Sequence, residues 1–255
     1  MNGARIALIG SVLTVAMQIP YSAAEPSLAQ ANSVPAAPMT GMAMDDSVAV
    51  GKVMLDQLEQ EAGSGNAILA WDGQAWYGAD YNKLWLKSEG SPNPDDKTDA
   101  RSELLWDHVI ARWWSVQTGV RYDLVQGPAR GWVAAGIQGL APYWFDVEAT
   151  LYLGDGGRTA ARFRAEHDVL LTQRLIVQPE FEADLYGKTD AARQIGSGLS
   201  DFQLGLRARY EIRREIAPYI GLAWRRDVGG TAQFARTNGL APNALLFVAG
   251  FHVWF

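Results

Sequence analysis

The 255-residue sequence has no cysteine and no excess of basic residues. A chain without thiols avoids mispaired disulfides in a compartment with disulfide-forming chemistry. Its 22 Lys and Arg are outnumbered by 28 Asp and Glu, a net charge of −6, which excludes the basic footprint of a nucleic-acid-binding protein. Beyond about residue 67, no apolar run approaches the roughly 18 residues of a transmembrane helix.

Glycine and aromatic residues are abundant instead. The chain has 26 Gly, ten Trp, nine Tyr and eight Phe. Trp is favoured at membrane–water interfaces, where its amphipathic ring has both an apolar and a polar neighbour. The composition is therefore compatible with a protein anchored at such an interface.

The N-terminus has the pattern of a secretory signal peptide. Arg5 supplies a positive charge, residues 6–19 are mostly apolar, and small residues follow up to Ala24. A membrane-anchoring helix is the alternative, but the apolar run is short for a membrane span. We predict a signal peptide over residues 1–24, cleaved after Ala24.

Residues 25–66 are predicted to be a disordered tail ahead of the folded part, residues 67–255. Ala, Pro, Ser and Met are frequent in the first half of the tail and show no periodicity. Residues 48–61 contain spaced apolar side chains that could form a short amphipathic helix.

From about residue 67 onward, apolar and polar residues alternate in segments of about ten, separated by turn residues. Such alternation predicts β-strands with one apolar and one polar face. It is clearest in residues 116–124, 145–153, 177–185, 201–210 and 247–255. A water-soluble β-sandwich would alternate as well, so the alternation alone does not identify the fold.

Two further features favour a membrane barrel. Aromatic residues cluster at strand ends, as at 113–114, 143–145 and 254–255, like the interfacial girdles of such barrels. Long polar loops also alternate with tight connections, which is typical of extracellular loops and periplasmic turns. The amphipathic last strand ends in Phe255, and a terminal aromatic residue is the usual recognition feature of outer-membrane barrels.

We therefore predict an all-β fold, a transmembrane antiparallel up-and-down β-barrel in the bacterial outer membrane. Ten strands are counted between about residue 76 and Phe255, and eight or twelve stay open as alternatives. An even number places both ends of the barrel in the periplasm, so residues 25–66 would be a periplasmic tail.

Several blocks of the sequence resemble the outer-membrane copper resistance protein B family. In chain order they are Asn82-Lys-Leu-Trp-Leu-Lys-Ser-Glu-Gly90, Gly136-Ile-Gln-Gly-Leu-Ala-Pro-Tyr-Trp-Phe145, Leu170-Leu-Thr-Gln-Arg-Leu175, Gly196-Ser-Gly-Leu-Ser-Asp201 and Tyr210-Glu-Ile-Arg-Arg-Glu-Ile-Ala-Pro-Tyr-Ile-Gly221. The resemblance covers about residues 67–255. It implies an outer-membrane component of a copper-tolerance system that binds or passes copper ions.

Members of that family often have a Met- and His-rich segment ahead of the barrel. Here the segment is reduced to Met39, Met42 and Met44, without His. Soft thioether sulfur suits Cu(I) and needs no deprotonation, so these three residues are candidate copper ligands. The alternative is a Met-containing linker, and both Cu(I) and Cu(II) stay open as the bound ion.

The inward faces of the predicted strands contain thirteen acids and nine bases. In a narrow lumen most of these charges are expected to form ion pairs between strands. The surplus of acids nevertheless favours cations over anions. The best cluster for a cation path consists of Asp146, Glu148, Glu180, Glu182 and Asp184.

Three His remain. His252 lies on the inward face of the last strand, near the periplasmic mouth, and is a candidate copper ligand. His167 is predicted to face outward at the interface, and His108 lies at a turn. No two His have the spacing of metal ligands on one helix or strand, so a preformed high-affinity Cu(II) site is not predicted.

The predicted function is copper tolerance, by binding copper or conducting it through an acidic lumen, without enzymatic activity. The expected partners are copper ions, outer-membrane lipid and a periplasmic copper-binding or copper-oxidising protein. An outer-membrane hydrolase is one alternative, although no nucleophile–base arrangement is evident. A structural barrel without transport is the other.

Overall fold

The computed structural model describes residues 48–63, 67–92, 98–124 and 128–255. The predicted signal peptide and Met39, Met42 and Met44 lie outside these residues. The strands are β1 (Val50–Ala62), β2 (Ile68–Gly78), β3 (Asn82–Pro92), β4 (Thr98–Ala111), β5 (Trp114–Leu124), β6 (Arg130–Ala141), β7 (Phe145–Gly154), β8 (Arg158–Glu166), β9 (Val169–Leu170), β10 (Leu175–Tyr186), β11 (Gly198–Tyr210), β12 (Ile216–Asp227) and β13 (Asn243–Trp254).

Helical structure within these residues is limited to short segments. The α-helix α1 (Gly229–Thr237) lies between β12 and β13. Single 3₁₀ turns occupy Pro142–Trp144, Asp155–Gly157 and Ala191–Arg193. In the part of the chain that the structure describes, no helix is long and apolar enough to cross a membrane.

The strands form one closed antiparallel sheet. Each strand pairs with its neighbours in the sequence, and β1 pairs with both β2 and β13. The two-residue strand β9 pairs with β10 beside β8, so β8 and β9 together form one strand of the wall. The wall therefore has twelve strands. This confirms the predicted barrel, with twelve strands, which was one of the stated alternatives, rather than the ten that were counted.

The prediction of a possible short helix at 48–61 was wrong, because most of these residues belong to β1. The barrel begins at Val50 rather than near residue 67. The backbone of β1 pairs along both edges, with β2 on one side and β13 on the other. These two ladders satisfy the polar backbone groups in a membrane-spanning wall and outweigh a weak local helix preference.

A β-bulge in β1 hides its alternation. Leu55 pairs with Gly73 and Gln57 with Asp72, so Asp56 is an extra residue without a partner in β2. Both Asp56 and Gln57 line the interior as a result. A bulge of this kind re-aims side chains and shifts the inward positions by one in sequence number.

The outer surface of the wall is apolar. Leu151 and Phe247 are 64% and 65% exposed, and the other outward positions are largely Leu, Ile, Val and aromatic residues. Polar residues on the same strands, such as Thr150 and Arg207, are buried inside. This distribution is the reverse of a soluble barrel and matches a lipid-facing wall.

The two ends of the barrel differ. At the end where β1 begins and β13 ends, which we name the turn end, consecutive strands are joined by connections of a few residues. At the opposite loop end lie the longest connections, residues 187–197 and 228–242, the second of which contains α1. Exposed aromatic residues such as Tyr143 and Trp144 mark the turn end.

One side of the interior is packed solid. A buried cluster lines the inner faces of neighbouring strands and comprises Leu105, Trp132, Ala134, Tyr152, Ala160 and Tyr186. The guanidinium group of Arg121 lies 4.4 Å from the centre of the Tyr152 ring, a cation–π contact. None of the six residues in this cluster lines the cavities of about 280 Å³ and 430 Å³ in the lumen.

Candidate functional site in the barrel lumen

Two cavities lie in series along the lumen. The turn-end cavity has a volume of about 280 Å³, and the loop-end cavity has a volume of about 430 Å³. Between them lies a space of only about 30 Å³. Asp72 and Arg164 line all three spaces, so we name this constriction the waist.

The waist is formed by ion pairs that cross the lumen. Arg164 of β8 donates to Asp72 of β2 at 2.8 Å, and these strands lie on opposite sides of the twelve-stranded wall. Arg162, two residues earlier, makes two hydrogen bonds of 2.6 Å to the carboxylate of Glu89 on β3. Paired N–H groups of a guanidinium fit the two oxygens of a carboxylate, which fixes both side chains.

Three acids of the predicted cation path are held in this network. Glu180 accepts a hydrogen bond from Arg207 and lies 3.1 Å from Arg164. Glu182 lies 2.6 Å from Arg162, and Asp184 lies 3.6 Å from Arg101. All three acids therefore form the ion pairs between strands that were predicted for most inward charges.

The other two acids of the predicted path lie at the turn-end cavity. Glu148 pairs with Lys87 at 2.8 Å. Asp146 lines the same cavity and has no ion-pair partner among the described residues. The five acids therefore do not converge on one point, since Glu182 lines the loop-end cavity.

Carboxylates exceed bases in both cavities. The turn-end cavity is lined by seven Asp or Glu and five Lys or Arg, and the loop-end cavity by seven and four. At the loop end, Asp184, Asp201 and Asp227 are direct partners on three adjacent strands. Like charges in directly opposite positions destabilise a sheet, so this acid row costs stability.

Several acids of the lumen were missed because they lie on β1 and β2. Glu59 accepts bonds of 3.1 and 3.0 Å from Arg207 and one of 2.9 Å from the Tyr219 hydroxyl. Glu61 is held by Arg225 at 2.8 and 2.5 Å. The alternation of Gln57, Glu59 and Glu61 would have identified an inward face if the segment had been treated as a strand.

A loop also reaches into the lumen at the loop end. Arg193, in the connection between β10 and β11, lies 3.2 Å from Asp123. Asp123 also pairs with Arg121 at 2.6 Å and accepts a 3.0 Å bond from the Trp132 ring nitrogen. The buried carboxylate thus anchors this loop against the packed side of the lumen.

His167 and His252 occupy the predicted faces, whereas His108, expected at a turn, lies within β4 and pairs with Asn82 and Val116. His108 bonds to Asn82 at 2.9 Å, and His167 bonds to the Trp144 carbonyl at 3.0 Å, both near the turn end. His252 lines the turn-end cavity together with Met54. No group of three or more His, Asp or Glu is arranged to hold a metal within the ranges that the structure covers.

Comparison with known proteins identifies the family of this chain. Residues 49–255 match the family described as "Copper resistance protein B precursor (CopB)". The chain belongs to the copper resistance protein B family. It is 43% identical over 217 residues to "Copper resistance protein B" of Escherichia coli, covering 85% of this chain and 73% of that protein.

A second relative comes from Pseudomonas syringae pv. tomato (strain ATCC BAA-871 / DC3000). This "Copper resistance protein B homolog" is 42% identical over 217 residues, 85% of this chain and 74% of that protein. The two relatives and the family match together assign the chain a role in copper resistance.

Among solved structures, the fold is similar to "NanC porin structure in rhombohedral crystal form". The TM-score is 0.50 at 11% identity, and the match covers 80% of this chain and 99% of that chain. At this identity the similarity concerns the fold alone. The barrel fold and the family together confirm a membrane protein.

Proposed function

We propose that this protein lies in the bacterial outer membrane and conducts copper ions through its lumen as its part in copper tolerance. The observation that supports the proposal is the pair of acid-rich cavities, one on each side of the waist. A surplus of carboxylates between low-dielectric walls concentrates cations and excludes anions. The family relationship makes copper the cation to test first.

At the loop end, the acid row provides the attraction. Asp201 and Asp227 line the loop-end cavity and have no ion-pair partner in the described part of the chain. Their mutual repulsion is relieved when a cation lies between them. These two residues are therefore the loop-end acids best suited to hold an arriving copper ion.

At the waist, a passing cation must compete with arginine. Glu89 is shared by Arg101 at 3.0 Å and Arg162 at 2.6 Å, and Asp72 is held by Arg164. A copper ion that takes over one carboxylate leaves the guanidinium with its second partner, such as Glu180 or Glu182. Arginine side chains then act as movable partners of the transported ion.

Three Met residues lie shortly before the barrel in the sequence. Met44 lies six positions before Val50, where β1 begins at the turn end. We assign Met39, Met42 and Met44 to transient Cu(I) binding on the periplasmic side. A periplasmic copper-binding or copper-oxidising protein is the expected exchange partner.

Copper flux into proteoliposomes tests the proposal. The purified full-length protein is reconstituted with a copper-sensitive dye inside the vesicles, and Cu(I) and Cu(II) are added separately. Copper influx above protein-free vesicles, and above that of Zn²⁺ or of anions, is expected. No copper influx through heat-modifiable, folded barrels would contradict conduction.

The same preparation distinguishes the alternatives. Hydrolysis of phospholipid or peptide would support an outer-membrane hydrolase, and neither flux nor hydrolysis would support a structural barrel. Cell fractionation tests location: the mature chain is expected with the outer membrane, with heat-modifiable mobility in detergent gels. Recovery from the soluble periplasmic fraction would contradict the outer-membrane assignment.

A further inference from the structure

Met54 and His252 both line the turn-end cavity of the lumen. Met54 of β1 is the register partner of Trp254 on β13, and His252 lies two residues before Trp254 on the same strand face. Lumen-facing residues in this diagonal relation on adjacent strands have Cα atoms about 7–8 Å apart. Both side chains line the turn-end cavity, so a thioether and an imidazole share one wall.

The bulge in β1 orients the imidazole. Asp56 is the extra residue of the bulge, and its carbonyl oxygen lies 3.3 Å from Nδ1 of His252. A carbonyl oxygen only accepts hydrogen bonds, so this contact assigns the ring proton of the neutral imidazole to Nδ1. Nε2 is then left with its lone pair, the form that binds metals, and this is how protein carbonyls commonly orient a ligating His.

The chemistry of the pair favours a soft ion. Thioether and neutral imidazole are both uncharged, and thioether sulfur favours Cu(I) over hard cations. Lys52 lies nearby, with its ammonium group 4.8 Å from the centre of the Trp254 ring. The carboxylate of Asp56 lies 3.7 Å from Nδ1 of His252, so charges of both signs flank the pair and the preference for Cu(I) rests on the thioether.

We propose that Met54 and His252 form a Cu(I) site at the turn-end mouth of the lumen, an inference that rests on the proposed conduction of copper. Asp56 is a positioning residue, acting through His252. Met54 is the last Met of the sequence and follows Met44 by ten positions. The site lies at the turn-end mouth of the carboxylate-lined lumen, where copper enters or leaves it.

Cu(I) titration of the full-length protein in detergent tests the site. A parent variant with Met39→Leu, Met42→Leu and Met44→Leu removes the tail thioethers and isolates the barrel. The parent is expected to take up one Cu(I) against a chromophoric chelator, with sulfur and nitrogen both present in its X-ray absorption spectrum. Adding Met54→Leu or His252→Asn is expected to weaken Cu(I) binding by about 100-fold or more.

The controls separate binding from folding. His252→Asn keeps a donor near the Nδ1 position and removes Nε2, and heat-modifiable mobility reports the folded fraction of each variant. His167→Asn is the matched control, because His167 also bonds to a backbone carbonyl but lies on the outward face. It is expected to bind Cu(I) like the parent.

Two results would overturn the inference. One is a folded Met54→Leu or His252→Asn variant that binds Cu(I) as the parent does. The other is a parent spectrum without sulfur, which would place the ion elsewhere. Flux measurements keep the two proposals distinct: a bound Cu(I) without copper flux contradicts conduction alone, and flux without this bound Cu(I) contradicts the site alone.

Discussion

Arg164 reaches across the lumen from β8 to Asp72 on β2, with 2.8 Å between the donor nitrogen and the carboxylate oxygen. The same guanidinium lies 3.1 Å from Glu180 on β10. Opposite walls of the barrel are thus joined from within, at the position that separates the two cavities. This contact connects the stability of the barrel with the width of its path.

Replacing Arg164 tests how much its ion pair with Asp72 contributes to the stability of the barrel. Arg164→Gln is expected to destabilise the barrel by about 3 kcal/mol, because it leaves the largely buried carboxylate of Asp72 without its partner. Adding Asp72→Asn is expected to recover roughly 1 kcal/mol, since the pair is coupled. Urea unfolding of the single and double variants measures both values.

Arg209→Gln is the matched control, because its partner Asp168 is 44% exposed and such pairs contribute about 1 kcal/mol or less. In proteoliposomes, the Arg164→Gln/Asp72→Asn variant is expected to conduct copper faster than the unaltered protein, since the waist has lost a crossing contact. Strictly additive stability effects, with unchanged flux, would contradict a role for this pair as a constriction.

Neutralising acids that have no ion-pair partner should affect the melting temperature differently from neutralising acids that pair with arginine. Asp201→Asn with Asp227→Asn removes part of the like-charge row, so the melting temperature is expected to stay the same or rise while copper flux falls at low salt. The flux difference should shrink at high salt because screening acts on the same field. Equal flux at both salt concentrations would contradict an electrostatic role for the row.

The comparison variant neutralises acids that have arginine partners. Glu180→Gln, Glu182→Gln and Asp184→Asn together are expected to lower the melting temperature, because Arg162 and Arg207 lose charged partners. If copper flux per folded barrel also falls, these acids contribute to the field as well. A stable triple variant would contradict the ion-pair network described for the lumen.

Phe255 should be needed for assembly. Its N–H donates to the Val53 carbonyl at 2.8 Å, and its carbonyl accepts from the Val53 N–H at 3.0 Å, so it closes the seam between β13 and β1. Deleting Phe255 is expected to reduce the heat-modifiable fraction in outer membranes severalfold. Phe255→Tyr, which keeps the backbone and the ring, should assemble normally, and normal assembly of the deletion would contradict the expectation.

Deletion of Asp56 tests the positioning of His252. Without the extra residue, β1 can pair continuously with β2 while Met54 and Gln57 keep their partners. Cu(I) affinity at the proposed site is expected to fall about 10-fold to 100-fold, because the carbonyl that orients His252 is lost. Asp56→Asn keeps that carbonyl and should bind Cu(I) normally, so equal affinities in both variants would count against the orienting contact.

The sequence predicted the barrel wall well wherever alternation is uninterrupted. The thirteen acids and nine bases predicted to face inward include Arg121, Asp123 and Arg207, and all three are buried. The count of ten left out both β1 and β2. In β1 the alternation is interrupted, because the bulge at Asp56 changes the inward positions from even numbers to odd ones. Met54 therefore looked like part of an apolar helix face rather than a residue of the lumen.

The partners across the lumen could not have been predicted. Which acid meets Arg164 depends on the number of strands and on the closure of the sheet, neither of which follows from local patterns. With ten strands, β2 would not have been part of the wall, and Asp72 would not have been a candidate. The sequence predicted that most inward charges, including Glu180, Glu182 and Asp184, form ion pairs between strands. It did not predict which residue pairs with each of them.

The seam between β1 and β13 also sets the order of events during synthesis. Val53 is translated about 200 residues before its partner Phe255, so no closed ring exists until β13 has been made. Until then the sheet has two free edges, whose unpaired N–H and C=O groups attract other strands. A cell that makes this protein must keep nearly the whole polypeptide open for that interval.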